Sequence, residues 1–507
     1  MEASAPAPPP PRPRRAGVLL HVTSLPGTAG AGDLGPGALA FLDWLVAAGQ
    51  GVWQVLPLAP PGYGGSPYTA TSAFALHPLF LSVDRLVEEG WLAADEAQGL
   101  RPARGRGGDF AAALALRERA ARAALARLDR ERPAERLADF ERFLAAPENA
   151  SWLADWALFR ALKRRAGERP WWEWPPELAR REEAALARAR AELAAETRFE
   201  SFLQWQLERQ WQALAAAARE RRIEILGDLP LYLARDAADV WTRPELFDLD
   251  SEGRPLHVAG VPPDYFSADG QLWGNPLYRW ERHAQEGFAW WQRRLTGNLA
   301  RTPRLRLDHF RGFEAFWEVP AGAPTARAGR WVKGPGAAPF AALRRDGSPL
   351  PLVAEDLGVI TPEVDRLRAE LGIPGTKVLQ FGFLPEASDH LPHRLRPDTA
   401  IYTGTHDNDT ARGWYAKLDS ASKRRFRDYL GSDGKHAARD LARAAATSVA
   451  ELAIVPMQDA LELPSAARMN TPGRDRGNWR WRLEREDLAE APARRLRRLA
   501  ELSGRLP

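Results

Sequence analysis

The chain has 507 residues and no cysteine, and its 70 Lys and Arg against 66 Asp and Glu leave a net charge of +4. Those numbers exclude a disulfide scaffold, a zinc ribbon, an iron–sulfur centre and a thiol nucleophile. The small, dispersed positive excess leaves no footprint for nucleic acid. With 45% hydrophobic and 27% charged residues, the length bounds the chain to about three domains or one large α/β barrel with insertions.

In chain order, residues 1–16 are rich in Pro and Ala and are expected to form a disordered tail. The apolar run Gly17–His21 is too short for a signal peptide. No stretch of about 18 apolar residues is present to span a membrane. A cytoplasmic enzyme with no membrane partner is the expectation.

Short apolar runs bounded by Gly, Pro or polar residues then recur, as buried parallel strands do. They are Val18–His21, Val52–Leu58, Ile223–Leu226, Leu305–Leu307, Leu352–Ala354, Val378–Phe381, Ala400–Thr403 and Leu452–Val455. Helical stretches such as Gly37–Ala48 and Thr361–Leu371 lie between them. Eight strands alternating with helices predict a (β/α)8 barrel over residues 17–507, in the α/β class. Two long gaps interrupt it. Residues 85–215 are rich in Ala, Arg, Glu and Trp and read as a helical subdomain. Residues 240–300 are rich in Pro, Gly and aromatic residues around Val261–Tyr278, and read as a long loop beside the active face. The Trp171-Trp172-Glu173-Trp174 cluster reads either as a secondary aromatic platform for a ligand or as the core of the helical subdomain.

A barrel of this kind places its chemistry at the C-terminal ends of its strands. There the sequence repeatedly sets acids: Gly227-Asp228-Leu229-Pro230, Leu307-Asp308-His309-Phe310, Ala354-Glu355-Asp356-Leu357 and Thr405-His406-Asp407-Asn408-Asp409. Charges in apolar strands are rare unless paired or functional. Three chemistries use converging carboxylates. Metal-assisted hydrolysis finds only His309 beside Asp308 and His406 beside Asp407, without a His-x-His or His-Glu-x-x-His motif. Schiff-base chemistry finds only Lys377, at the start of its strand and so at the wrong end. Glycoside chemistry needs two carboxylates and favours aromatic platforms, and 20 Trp are available.

The motifs LLHVTSLPG, WQVLPLAP, YGGSPY, GDLPLYLARDAADVW, PPDYFSADGQLWGNPLY, RLDHFRGFEAFW, RWVKGPG, AEDLGVITPEV, YTGTHDNDT and MNTPGRDRGNWRWR carry the reading further. From about Gly17 to Trp481 the sequence resembles the 4-α-glucanotransferases (amylomaltase, or disproportionating enzyme) of glycoside hydrolase family 77. The resemblance implies a (β/α)8 barrel without a C-terminal β-domain. It also implies retaining transfer of α-1,4-glucan segments between maltooligosaccharides, with glucose as an acceptor and with no metal or other cofactor. By resemblance Asp308 is the nucleophile, Glu355 the general acid/base and Asp407 the stabiliser of the transition state.

On a strand, Arg306 shares a face with Asp308, and its guanidinium would hold Asp308 ionised. The resemblance further points to His309, His406, Asp228, Tyr68 and Ser66 as sugar contacts. It points to Gln271, Trp273 and Phe266, in the long loop, as acceptor-side contacts. The sequence departs from the family pattern at Leu76-His77, Thr69, Thr376 and Leu395, which bears on subsites rather than on the three carboxylates. An α-1,4-glucan hydrolase with the same carboxylates, and a glycan-binding protein without catalysis, are the competing readings.

Overall fold

The computed structural model describes residues 13–27, 30–98, 109–263, 267–344, 349–384, 388–474 and 476–507. Most of the expected N-terminal tail lies outside them. Its last residues do not belong to a tail: Arg14 donates to the carbonyls of Ala446 and Ser448, and Arg15 opens the first strand.

The strands are β1 (Arg15–Leu19), β2 (Val52–Gln54), β3 (Glu224–Leu229), β4 (His257–Val261), β5 (Gln271–Pro276) and β6 (Arg304–Leu307). They continue as β7 (Ala315–Pro320), β8 (Arg330–Lys333), β9 (Leu352–Ala354), β10 (Gly375–Val378), β11 (Thr399–Tyr402) and β12 (Leu452–Pro456). Eight of them form one parallel sheet in the order β10-β11-β12-β1-β2-β3-β6-β9. The ends of that sheet meet where the Ala354 N–H donates to the Pro374 carbonyl at 2.8 Å and the Thr376 hydroxyl donates to the Ala354 carbonyl at 2.8 Å. The result is a nearly closed (β/α)8 barrel. Residues of β2, β6, β9, β11 and β12 are buried throughout, which is why these strands read as unbroken apolar runs rather than alternations.

One strand lies elsewhere than predicted. The expected Val378–Phe381 is a strand only at its first residue, and Leu379–Gly382 is a helical turn. Gly375–Val378 takes the strand position because it pairs with Thr399–Tyr402, and its entry is fixed by the Thr376 N–H donating to the buried Asp356 carboxylate at 2.6 Å. Lys377 is therefore an interior residue of β10 rather than its first.

Between β2 and β3 the helices Phe110–Glu131, Leu153–Arg165 and Ala194–Glu220 dominate. The last buries Phe199, Phe202, Leu203, Leu207, Trp211 and Leu214 at helical spacing. Its buried amides Gln204 and Gln210 each bond both the N–H and the carbonyl of one loop residue, Leu76 and Ser82 respectively. Those glutamines pin the segment leaving β2, each amide satisfying both polar groups of one buried loop residue. The stretch Val261–Tyr278, read as loop, instead contributes to a four-stranded antiparallel sheet in the order β5-β4-β7-β8. It flanks the barrel end from which β3 and β6 emerge. No helix among the described residues is long and apolar enough to cross a membrane.

A candidate active site at the mouth of the barrel

Strand geometry sets the centre. Asp228 lies within β3, Asp308 directly follows β6, Glu355 directly follows β9, and Asp407 lies in the turn beyond β11. The ladder persists past the strand ends, with Asp308 N–H donating to the Leu229 carbonyl and Glu355 N–H to the Leu307 carbonyl, each at 3.0 Å. The carboxylates thus inherit the rigidity of the sheet.

Arg306 binds two of them. Its Nη1 lies 2.9 Å from both oxygens of Asp228 and 3.0 Å from Oδ1 of Asp308. Asp228 is the more intimate partner, so the guanidinium is shared rather than dedicated to Asp308. One cation faces two acids, and the two are not equal: the Asp228 side chain is fully buried, while that of Asp308 is 27% exposed. Burial lifts the Asp228 carboxyl to about 7 against the pull of Arg306, with the Asp308 charge adding. Burial also raises Asp308, opposed by Arg306 and by His406. Among the described residues Asp308 Oδ2 has no hydrogen-bond partner, so one oxygen is held and the other is free.

Glu355 sits differently. Its oxygens accept backbone N–H groups of His309 at 2.9 Å and Leu357 at 3.2 Å. Burial pushes its carboxyl up to about 8 against the pull of Arg306, and the neighbouring Asp308 charge adds to the rise. It is therefore a carboxylic acid at neutral pH. His309 presents its N–H from a left-handed backbone, φ +51°, a conformation uncommon outside glycine that concentrates at functional sites. Burial pulls the His309 ring down to about 4, so it is neutral.

Asp407 is held from the far side of the chain. Asn470 donates to its Oδ1 at 2.6 Å, Arg468 donates to its backbone carbonyl at 2.5 Å, and His406 Nε2 lies 3.4 Å from Oδ2. His406 is buried and its pKa is lowered by that burial. Its ring stacks on Tyr68 with centroids 4.8 Å apart, and the Tyr68 hydroxyl donates to Asp228 at 2.7 Å. Trp479 leans on both rings at 5.9 and 5.8 Å. On the other side Trp273 meets His309 edge-on at 4.8 Å, and its indole N–H donates to Gln271 at 3.2 Å. The Ser66 hydroxyl accepts the Tyr68 N–H at 3.3 Å.

All the sequence-predicted site residues except Phe266, which lies outside the described residues, belong to this linked set. Sequence reasoning missed Asn470, Arg468 and Trp479. Asn470 and Trp479 lie in the motif MNTPGRDRGNWRWR and Arg468 immediately precedes it; the Asn and Trp of that Gly-Pro-rich, non-periodic stretch were the available signal. Among the described residues no group of three or more His, Asp or Glu side chains could hold a metal ion.

The family profile described as 4-alpha-glucanotransferase, of glycoside hydrolase family 77, matches residues 20–488. A 4-alpha-glucanotransferase of Thermus thermophilus is 47% identical over 504 residues, covering 97% of this chain and 99% of its own. That of a Synechocystis strain is 45% identical, over 97% and 98% of the two chains. Among solved structures, the amylomaltase of Streptococcus agalactiae in complex with acarbose superposes with a TM-score of 0.92 at 36% identity. That match covers 97% of this chain and all of the other.

Proposed function

The chain belongs to the 4-α-glucanotransferase family of enzymes, and from that premise we propose that it transfers α-1,4-glucan segments with retention, through a covalent glucosyl–Asp308 intermediate. The observation that carries this reading is the contrast between the two carboxyls: Glu355 is pushed up to about 8, while Asp308 keeps Arg306 on one oxygen and leaves the other free.

Glu355 protonates the departing glycosidic oxygen as Asp308 Oδ2 attacks the anomeric carbon. The N–H groups of His309 and Leu357 stabilise the Glu355 carboxylate that remains. Glu355, now a base, takes the proton of an acceptor 4-hydroxyl, which displaces Asp308 from the opposite face. Two inversions give net retention.

Arg306 stays charged, because burial is outweighed by Asp228 and Asp308. It keeps Asp308 a competent nucleophile and leaving group. Asp407, oriented by Asn470 and His406, is placed to accept sugar hydroxyls, and neutral His309 and His406 offer further polar contacts. Tyr68 supplies an aromatic face and Asp228 an acceptor in the same ring site. Gln271 and Trp273 of β5 stand at the acceptor side, and Trp273 shields the intermediate from water. Two carboxyl groups perform every proton and covalent step, so the mechanism calls for no metal or organic cofactor.

Incubating the protein with maltotriose tests the proposal. A ladder of longer and shorter maltooligosaccharides with glucose is the expected product. Shorter products alone would make the chain a hydrolase, and no change would make it a binding protein.

A further inference from the structure

Away from the carboxylates lies a groove of about 610 Å³, within the roughly 300–1,000 Å³ range of ligand sites. One wall is the Trp171–Arg181 segment of the helical insertion. The other is the stretch Arg235–Arg254, which leaves the end of β3 just after Asp228 and runs directly into β4.

Its tryptophans are not equivalent. Trp171, Trp174 and Trp241 are buried, and their indole N–H groups donate to the carbonyls of Arg235, Arg169 and Leu178. Trp172 is half-buried, and among the described residues its N–H makes no hydrogen bond. Its ring is fixed by the edge of Trp171, with centroids 5.7 Å apart, and by the Arg235 guanidinium 3.8 Å from its own centroid. Arg235 is itself anchored, its Nε donating to the Gly253 carbonyl at 3.0 Å. Gly253 has φ +74°, and a Cβ there would fall 2.2 Å from Trp171, so only glycine lets the two walls meet.

Unused polar atoms surround this platform. Arg181 stacks on the Trp241 ring and donates to Asp155 through Nη2, while its buried Nη1 has no partner among the described residues. Asp250 spends Oδ1 on the N–H groups of Glu252 and Arg254 and leaves Oδ2 free among the described residues. Five arginines and three acids line the groove, and Arg254 already pairs with Glu252. Interleaved charges of both signs suit a neutral ligand carrying many donors and acceptors. An anion would meet the carboxylates.

We propose that this groove is a second glucan site, which takes a short α-1,4-glucan segment on Trp172 and Arg235 and tethers long donors outside the catalytic mouth. The identity of the ligand rests on the glucan transfer proposed above.

The test titrates maltoheptaose into the full-length protein silenced by Asp308→Asn, with and without Trp172→Ala. Two classes of site are expected, the second absent in the double variant. In the active enzyme, Trp172→Ala should raise KM for long amylose about tenfold, the order expected for one lost aromatic platform. Maltotriose kinetics should stay within about twofold, since a tether gains only from the added length of the donor. Trp172→Phe, which preserves packing, should fall between parent and Ala. The proposal is overturned by a single class of site in the parent, or by two classes that both Trp172 variants leave intact. Inorganic phosphate occupying the groove in place of maltoheptaose would overturn it equally. Failure of the parent to disproportionate maltotriose would instead strike the proposed function.

Discussion

Replacing Glu355 by Gln isolates the electrostatic claim on which the proton chemistry stands. In the folded protein burial lifts this carboxyl from an ordinary 4.5 to about 8. In the unfolded chain it returns to the ordinary value. Between those two pH values the folded state holds a proton that the unfolded state has released. Rising pH therefore favours unfolding through this one group, and above about 8 its contribution levels off. The shift corresponds to at most about 5 kcal/mol, at 1.36 kcal/mol per pKa unit.

Gln cannot ionise, so the variant should gain on the parent steadily from about pH 4.5 to pH 8. An unfolding entropy near 2.1 cal/mol/K per residue makes each kcal/mol worth about 1 °C in a chain this long. The differential gain is then up to about 5 °C. A constant offset opposes it: one of the N–H donors of His309 and Leu357 would face the new amide NH2, at a cost of about 1–3 kcal/mol that does not vary with pH. Thermal melts of both proteins at pH 5, 7 and 9 measure the difference. A variant-minus-parent Tm that stays flat with pH, or that falls as pH rises, would mean Glu355 is ionised at neutral pH and cannot be the acid.

Three further outcomes follow from the same site. Asp308→Asn should abolish transfer from every donor, whereas Glu355→Ala should still be glycosylated by α-glucosyl fluoride and be rescued by azide. Its loss on natural glucans should reach at least the ~10²–10⁴ of a missing acid/base, and azide rescue with retention of the Asp308 variant, and not of the Glu355 variant, would reverse the two roles. Asn470→Ala removes the 2.6 Å donor to Asp407. It should lower kcat/KM about tenfold to a hundredfold, the range of a hydrogen bond to a charged group, and parent-like kinetics would dismiss the orienting role. Exhaustive EDTA treatment should leave disproportionation of maltotriose intact, and loss restored by a divalent ion would revive a metal mechanism.

The barrel was legible because its strands are buried on both faces, so that Leu352–Ala354 or Leu452–Val455 announces itself without partners. The β10 displacement shows the limit of that signal. Val378-Leu379-Gln380-Phe381 is as apolar as a strand, and only its pairing with β11 and the Asp356–Thr376 bond decide that the strand ends at Val378. The second sheet escaped notice for a related reason. Gln271–Pro276 carries Gly, Asn and Pro, exposes its middle residues, and owes its extended form to β4.

At the site, Asp308, Glu355 and Asp407 stood out as acids at strand ends, and the family resemblance assigned their roles. That Arg306 serves Asp228 before Asp308 could not be read from spacing, since Asp228 is 78 residues away. Asn470 and Trp479 come from a segment with no regular element, and only the tertiary structure brings them to Asp407, Tyr68 and His406.

The closure of the barrel has a consequence for its birth on the ribosome. β1 pairs with β2 on one side and with β12 on the other, so its second edge waits for a partner made roughly 400 residues later. At about 5–20 residues per second that is on the order of 20–80 s of synthesis. Throughout that interval an apolar strand with open N–H and C=O groups is available to any passing edge. Folding yield should therefore depend on translation speed and on chaperones that shield β1. A circularly permuted gene encoding β12 ahead of β1 would shorten the exposure without altering the finished enzyme.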